Sequence, residues 1–304
     1  MRPTALAIVL VMGCGSPPSG VVATGADAAL APDSAPPDAS LQALGPSLVI
    51  DDLHIASLQE DAHALSLLGT AINPQLQTSI QDGTLLLGIE LRELDDPSAG
   101  TDEPVAVGMY RLQDTDGDPS NNFVPGSPEL FTVAAGSFVG DTPSVLFSDA
   151  AIASRHLDAT GVSALDLLGG TLPFALQQPE LSGDLVADAD GAHVVELTGG
   201  RLVGGLPASL LALAPNIASG QCPGATLLDV IATGCGLLPL QPDIDLDNDG
   251  FEKLYDTDGD GSIDRCVDGD GTEILGTDCP LNPAIADGYR VIFVVHGLRA
   301  ILVR

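Results

Sequence analysis

The stretch that decides the fold is YRVIFVVHGLRAILV, residues 289–303. Residues 291–295 are all apolar, so both faces of an extended chain are apolar there. A strand with two apolar faces needs cover on both sides, from a second sheet or from helices. The sequence therefore predicts a central strand, and a central strand at this position indicates that the N- and C-terminal parts belong to one domain.

Further strands are predicted upstream by period-two alternation between Gly, Pro and Asp turns, at residues 47–58, after Gly83, and at 105–112, 129–133, 144–156 and 172–177. Residues 181–188 and 193–203 predict a hairpin through Asp190-Gly191. Apolar residues at helical spacing predict a helix at 65–80, which Pro74 should kink or divide, and short helices are predicted at 206–213 and 225–232. We expect a mainly β domain over 47–304, an antiparallel β-sandwich-like or curved-sheet fold with a few packed helices. A curved sheet and helix around an apolar cavity is the alternative.

An acidic insertion precedes the last strand, at about residues 243–282, and should be irregular. Within it, DIDLDNDGFEKLYDTDGDGSIDRCVDGDGTE (243–273) alternates acids with other residues. Carboxylates at this density repel one another unless a hard cation lies among them, and Ca²⁺ takes six to eight oxygens at about 2.3–2.6 Å. The predicted Ca²⁺ ligands are Asp245, Asp247, Asp249, Asp256, Asp258, Asp260, Asp264, Asp268 and Asp270.

Two known calcium motifs resemble parts of this insertion. The segment DLDNDG with Asp256 (residues 245–256) resembles an EF-hand loop, in which Asp256 would close the site where that family has a bidentate Glu. The segment DTDGDGSIDRCVDGDG (256–271) resembles thrombospondin type 3 calcium repeats, which also place a disulfide cysteine among the acids, as Cys266 stands here. That resemblance implies one site from Asp256, Asp258, Asp260 and Asp264, a next site that includes Asp268 and Asp270, and ions with a structural role.

A third acidic loop, DTDGD, begins at Asp114 and continues through Asp116 and Asp118 to Asn121. Pro119 stands where a calcium loop would have Gly. Both a metal loop and a turn without metal fit this pattern.

The N-terminus predicts export. Arg2 precedes a short apolar run, and residues 1–13 read as a signal peptide, too short to span a bilayer as a mature helix. Val11-Met12-Gly13-Cys14 resembles the lipobox of bacterial lipoproteins, which implies cleavage before Cys14, its lipidation, and anchoring in the cell envelope, in the outer membrane. An ordinary signal peptide is the alternative. From residue 14 to 46 the chain is rich in Pro, Ala, Ser and Asp and predicts a disordered tether.

Four cysteines remain for disulfides in an exported protein: Cys222, Cys235, Cys266 and Cys279. Sequential pairing is the simplest arrangement, although four cysteines allow three connectivities.

Composition excludes some classes of partner. Ten Lys and Arg against 42 Asp and Glu give a formal charge of −32. Nucleic acid and anionic lipid surfaces require basic patches, so neither is an expected partner. Calcium ions, and the membrane through the lipid anchor, are the expected ones.

No catalytic residue is predicted, because the sequence contains no G-x-S-x-G, H-E-x-x-H or P-loop motif. We therefore expect a non-enzymatic lipoprotein with structural calcium loops that serves binding, adhesion or envelope architecture. One alternative is a carrier of an apolar ligand in a cavity between sheet and helix. The other is a secreted hydrolase in which His156 or His296 meets Asp residues in a cleft.

Overall fold

The computed structural model describes residues 42–61, 63, 65–96, 98–166, 175–216, 222–234 and 238–304. The predicted signal peptide, Cys14 and most of the tether lie outside the described residues, as does Cys235. The predicted Cys222–Cys235 bridge therefore stays a prediction.

The strands are β1 (Ser47–Ile55), β2 (Leu87–Arg92), β3 (Asp102–Asp114), β4 (Leu130–Val133), β5 (Phe138–Val139), β6 (Thr142–Pro143), β7 (Val145–Ala153), β8 (His156–Thr160), β9 (Ala164–Asp166), β10 (Ala175–Ala187), β11 (Val194–Pro207), β12 (Lys253–Tyr255), β13 (Arg265–Val267), β14 (Glu273–Leu275) and β15 (Gly288–Val303). The helices are α1 (Ser66–Gln81), α2 (Ala208–Leu213) and α3 (Leu227–Thr233), with a 3-10 turn at Cys279–Leu281. No helix among these residues is long and apolar enough to cross a membrane.

Eight strands form a closed antiparallel sheet in the order β1-β2-β3-β7-β8-β10-β11-β15, and β15 pairs back onto β1. Strand β9 pairs with the start of β10, and β4 pairs with β3 and, in parallel, with β15. The predicted mainly β, antiparallel fold is confirmed, with the curved sheet closed into a barrel. Strand β15 lies between β1 and β11, which is the central position that its sequence predicts.

Both faces of β15 are covered. Val291, Phe293 and Val295 belong to the larger buried cluster with residues of the other barrel strands. Near the end of the strand, Ala300 and Leu302 pack into a second cluster that includes residues of β4. Full burial of an aliphatic or aromatic side chain contributes about 1.5–3 kcal/mol, so β15 stabilises both clusters at once.

Two local features bear on the predictions. Helix α1 runs through Pro74 as one helix, so the predicted alternative of two short helices is wrong, and a kink at Pro74 stays a prediction. The Asn73 side chain accepts the N–H of Ile55 (2.7 Å) and donates to its carbonyl (2.9 Å), which ties the helix to β1 beside the proline. The predicted strand 144–156 is two strands, because Ser154 and Arg155 adopt positive φ (52° and 68°) and turn the chain back.

The acidic insertion packs against the end of β11 and the start of β15, and it contains a small sheet, β12-β13-β14. A Cβ on Gly205 of β11 would lie 2.7 Å from Leu246 Cδ2, so the glycine allows this close approach. The Asp243 carboxylate accepts the N–H of Arg290 at 2.6 Å. Cys266 and Cys279 form a disulfide, which confirms one predicted pair.

Candidate metal centre

Two acidic loops share one conformation and start eleven residues apart, at Asp245 and Asp256. The Asp245 carboxylate accepts the backbone N–H groups three and five residues further on, at 2.6 and 3.3 Å. Asp256 does the same at 2.8 and 2.9 Å. The residue three positions after the leading Asp has positive φ in both loops: Asn248 (66°) and Gly259 (77°). Each leading carboxylate is thus fixed by its own loop and keeps lone pairs for a further partner.

The loop at Asp114 begins in the same way and then diverges. Asp114 accepts the N–H groups of Asp116 and Gly117, both at 3.1 Å, and Gly117 has a φ of 74°. Pro119 stands five positions after Asp114 and has no N–H, so this loop lacks the second backbone hydrogen bond to its leading Asp. Asn121 instead donates from Nδ2 to Asp116 at 2.8 Å. A metal in this loop stays an open prediction.

Two buried carboxylates lie beside the first loop: Glu252 is 1% exposed and Asp287 is 0% exposed. Glu252 accepts the N–H groups of Ala286 (3.0 Å) and Asp287 (2.8 Å). Asp287 accepts those of Leu246 (2.9 Å) and Glu252 (3.1 Å). No ion pair among the described residues includes either carboxylate. Burial of a charge without a counter-charge is costly, so the pair needs a proton or a cation.

The buried pair and the first loop form one cluster, which we call the buried-acid centre. Oxygens of Asp245, Asp247 and Asp287 lie within 4.8 Å of one another, and so do oxygens of Asp247, Asp249 and Glu252. Ligands on a Ca²⁺ ion at about 2.3–2.6 Å are separated by no more than about 5 Å. The spacing therefore suits a shared ion, and Asp247 belongs to both groups.

Charge crowding changes the acidity of the centre. Burial, followed by the hydrogen bond and charge of Asp287, raises the pKa of Glu252 to about 8. Desolvation, followed by contacts with acidic neighbours of which Asp247 is foremost, raises the pKa of Asp249 above its ordinary value. Protons are thus retained where a cation would otherwise supply the positive charge.

The second loop forms its own group. Oxygens of Asp256, Asp258 and Asp260 lie within 4.8 Å of one another. The structure therefore places Asp256 with the second loop, whereas the EF-hand resemblance implies that it closes the first. The acids that join the first loop in the groups of close carboxylates are Glu252 and Asp287 instead.

Three other predicted ligands, Asp264, Asp268 and Asp270, lie outside the groups of three close acids found in the described part of the chain. Asp264 accepts the N–H (2.9 Å) and the hydroxyl (2.6 Å) of Thr257. Asp268 accepts a backbone N–H within the β13–β14 turn at 2.6 Å. Asp270 lies near enough to Asp249 for its charge to help raise the pKa of that carboxyl.

Asp229 connects the second loop to helix α3. The Asp229 carboxylate is buried and accepts the N–H groups of Ala225 and Thr226 at the helix N-terminus, both at 2.9 Å. Its other oxygen accepts the N–H of Ile263 at 3.0 Å. The Thr226–Asp229 spacing is a capping-box signature, visible in the sequence, but the bond to Ile263 is not.

The two histidines considered for catalysis have separate partners. His156 Nδ1 lies 2.7 Å from Asp184 on an exposed strand pair. His296 lies between Asp51 (2.6 Å) and Glu196 (2.7 Å).

A serine–histidine contact also occurs, at His63 and Ser66. The Ser66 hydroxyl lies 2.8 Å from His63 Nδ1, while Nε2 accepts the backbone N–H of Ile292 at 3.3 Å. The neutral ring therefore carries its proton on Nδ1 and cannot accept one from Ser66 there. This geometry makes His63 a link between the segment before α1 and β15.

No protein-family model matches this sequence, and no curated protein or solved structure gives a significant match. The function is thus inferred from the chain's own residues.

Proposed function

We propose that the chain is an exported bacterial lipoprotein, anchored in the outer membrane through Cys14, whose acidic loops bind Ca²⁺ as structural ions. Its role would be non-enzymatic, in binding, adhesion or envelope architecture. The observation that carries the calcium proposal is the buried-acid centre, in which Glu252 and Asp287 are buried against three further carboxylates.

The donor set favours a hard cation. Every group of three ligand atoms within 4.8 Å of one another found among the described residues consists of carboxylates, without Cys or His. Ca²⁺ and Mg²⁺ prefer oxygen, and Ca²⁺ accepts the irregular, crowded sets that loops provide. Asp245, Asp247, Asp249, Glu252 and Asp287 would hold one ion, and Asp256, Asp258 and Asp260 would contribute to another.

The position of the centre supports a structural role. Asp287 directly precedes Gly288, the first residue of β15, and Glu252 directly precedes β12. An ion shared by these carboxylates would fasten the insertion to the strand that closes the barrel. Binding to the folded state alone stabilises it by about 2.7 kcal/mol per site when free calcium is a hundredfold above Kd.

The calcium proposal is tested by melting the full-length chain in excess Ca²⁺ and in chelator, with bound calcium measured in parallel. The parent should lose several degrees on chelation, and the Asp258→Ala, Asp260→Ala variant should lose fewer. The Asp158→Ala, Asp190→Ala variant removes two exposed acids elsewhere and should respond like the parent. An unchanged melt in chelator, with no calcium bound, would refute the proposal.

The anchor is tested separately. Cys14→Ser should move the protein from the membrane fraction to the soluble fraction, because no acylated residue would remain. Ser16→Ala, two residues away, should leave fractionation unchanged. Continued membrane association of the Cys14→Ser protein would contradict the lipobox prediction.

A further inference from the structure

A cluster of alternating acids and histidines lies on the outer face of the barrel. His296 of β15 lies between Asp51 of β1, 2.6 Å from Nδ1, and Glu196 of β11, 2.7 Å from Nε2. Next to it, His54 of β1 contacts one carboxylate through each ring nitrogen, those of Asp52 (3.1 Å) and Glu60 (3.2 Å). We call these six residues the histidine–carboxylate cluster: Glu196, His296, Asp51, Asp52, His54 and Glu60.

A β-bulge creates the cluster. In the β1–β15 pairing, Ile50 is opposite Gly297 and Asp52 is opposite His296, which leaves Asp51 as the extra residue. In a regular strand, successive side chains point to opposite faces, and one of two adjacent aspartates would face the apolar interior. The bulge instead lets Asp51 serve one histidine and Asp52 the other, and both line the same groove beside α1.

The hydrogen-bond geometry selects the charged form of both rings. A neutral imidazole donates from one nitrogen only, so its second nitrogen would face a carboxylate oxygen with two lone pairs opposed. The imidazolium donates from both nitrogens and satisfies both contacts. Partial burial by itself would lower the pKa of His296, but the bonds and charges of Asp51 and Glu196 raise it above the ordinary 6.5. The pKa of His54 is likewise raised, by Asp52 and Glu60 against partial burial.

Few positive charges near the cluster oppose protonation of the two histidines. Helix α1, which packs on β1, contains no charged residue. From β11, Arg201 lies opposite Val294 of β15, which in turn pairs with His54, but the guanidinium of Arg201 is engaged by Asp61. The charged groups that contact His296 are Asp51 and Glu196, and the residue opposite it on β1, Asp52, is also acidic.

We propose that the histidine–carboxylate cluster is a proton-dependent clamp across the closure of the barrel. With both rings charged, His296 joins β1, β15 and β11, and His54 joins β1 to the segment that carries Glu60. Because the histidine pKa values are higher in the folded state, this stabilisation is complete below about pH 6.5 and is lost as the pH rises through the folded-state values. The clamp does not depend on the proposed calcium sites.

The test uses the full-length, calcium-loaded chain in detergent. Histidine side chains are titrated by NMR, and melting is followed from about pH 5.5 to about pH 8.5. His296 and His54 should titrate above 6.5, with both ring nitrogens protonated near neutrality, and the melting temperature should fall with rising pH. His296→Gln should reduce that fall. His193→Gln, at an exposed hairpin turn, should behave like the parent.

Two results would overturn the proposal. One is a His296 pKa at or below 6.5 in the parent, a measurement that stands even if a variant fails to fold. The other is an unchanged pH dependence of melting in the His54→Gln, His296→Gln protein.

Discussion

We predict that the stability of the calcium-free protein falls as the pH rises, mainly through one carboxyl, that of Glu252. Its pKa rises from an ordinary 4.5 to about 8 in the folded state, because the side chain is buried beside Asp287. At about 1.4 kcal/mol per pKa unit, a shift of roughly 3.5 units corresponds to about 5 kcal/mol as an upper limit. A carboxyl whose folded-state pKa is raised binds its proton more tightly when folded. The stability it supports is therefore complete below about pH 4.5 and is lost as the pH rises to about 8.

The assay is chemical denaturation of the calcium-depleted chain at intervals from about pH 5 to pH 9, repeated in excess Ca²⁺. An ion in the buried-acid centre replaces the proton, so the calcium-loaded protein should lack this component. Glu252→Gln removes the titrating group and should flatten the difference between the two curves. Glu180→Gln, an exposed position on β10, makes the same chemical change and should preserve it.

Parallel stability curves of the calcium-free and calcium-loaded proteins across this range would refute the role assigned to Glu252. Retention of the full difference by Glu252→Gln would refute it as well, since the titrating group would then be elsewhere. The histidine–carboxylate cluster contributes equally to both curves and cancels in their difference.

Three further substitutions test the packing. Asp229→Ala should destabilise by about 1–3 kcal/mol in denaturant melts, because three backbone N–H groups lose their acceptor, and Asp229→Asn should recover part of the loss. Gly200→Ala should destabilise by about 1–3 kcal/mol, since a Cβ would lie 2.5 Å from a carbonyl oxygen of β15. Gly297→Ala is the control and should destabilise less, because a Cβ there meets nothing nearer than 3.4 Å. Equal effects of the two alanines would contradict the predicted clash. Removing both Cys266 and Cys279 by alanine should lower stability by up to about 3 kcal/mol for a loop of this length, and reduction of the parent, which would also open the predicted Cys222–Cys235 bridge, should lower it by at least as much.

The fold class was predictable because the strand signal is local. Residues 291–295 have no polar side chain, and the structure buries four of the five, with Val294 half-buried. Closure of the sheet was not predictable, because it depends on pairing between β1 and β15, which are more than 200 residues apart in sequence. Nothing in the alternation of either strand specifies its neighbour.

The acidic loops were predictable for a similar reason, since alternating Asp with Gly is a pattern within a few residues. The buried pair was not. Glu252 falls two residues after Gly250, outside the alternation, and Asp287 stands among apolar residues with no acidic neighbour in sequence. Only the folded chain brings Asp287 to the first loop, through N–H bonds from Leu246 and Glu252.

The closing strand is fastened at both ends, and this connects the candidate metal centre to the stability of the barrel. At its start, Asp243 accepts the N–H of Arg290, and Asp287 holds the first acidic loop. At its far end, Leu44 donates to the carbonyl of Leu302 at 2.9 Å, so the first described residues pair with the last. A barrel remains closed only while β15 keeps both neighbours, β1 and β11. A cation that neutralised the acids at the start of β15 would therefore act on the whole sheet, since opening of that end exposes the apolar residues that β15 buries.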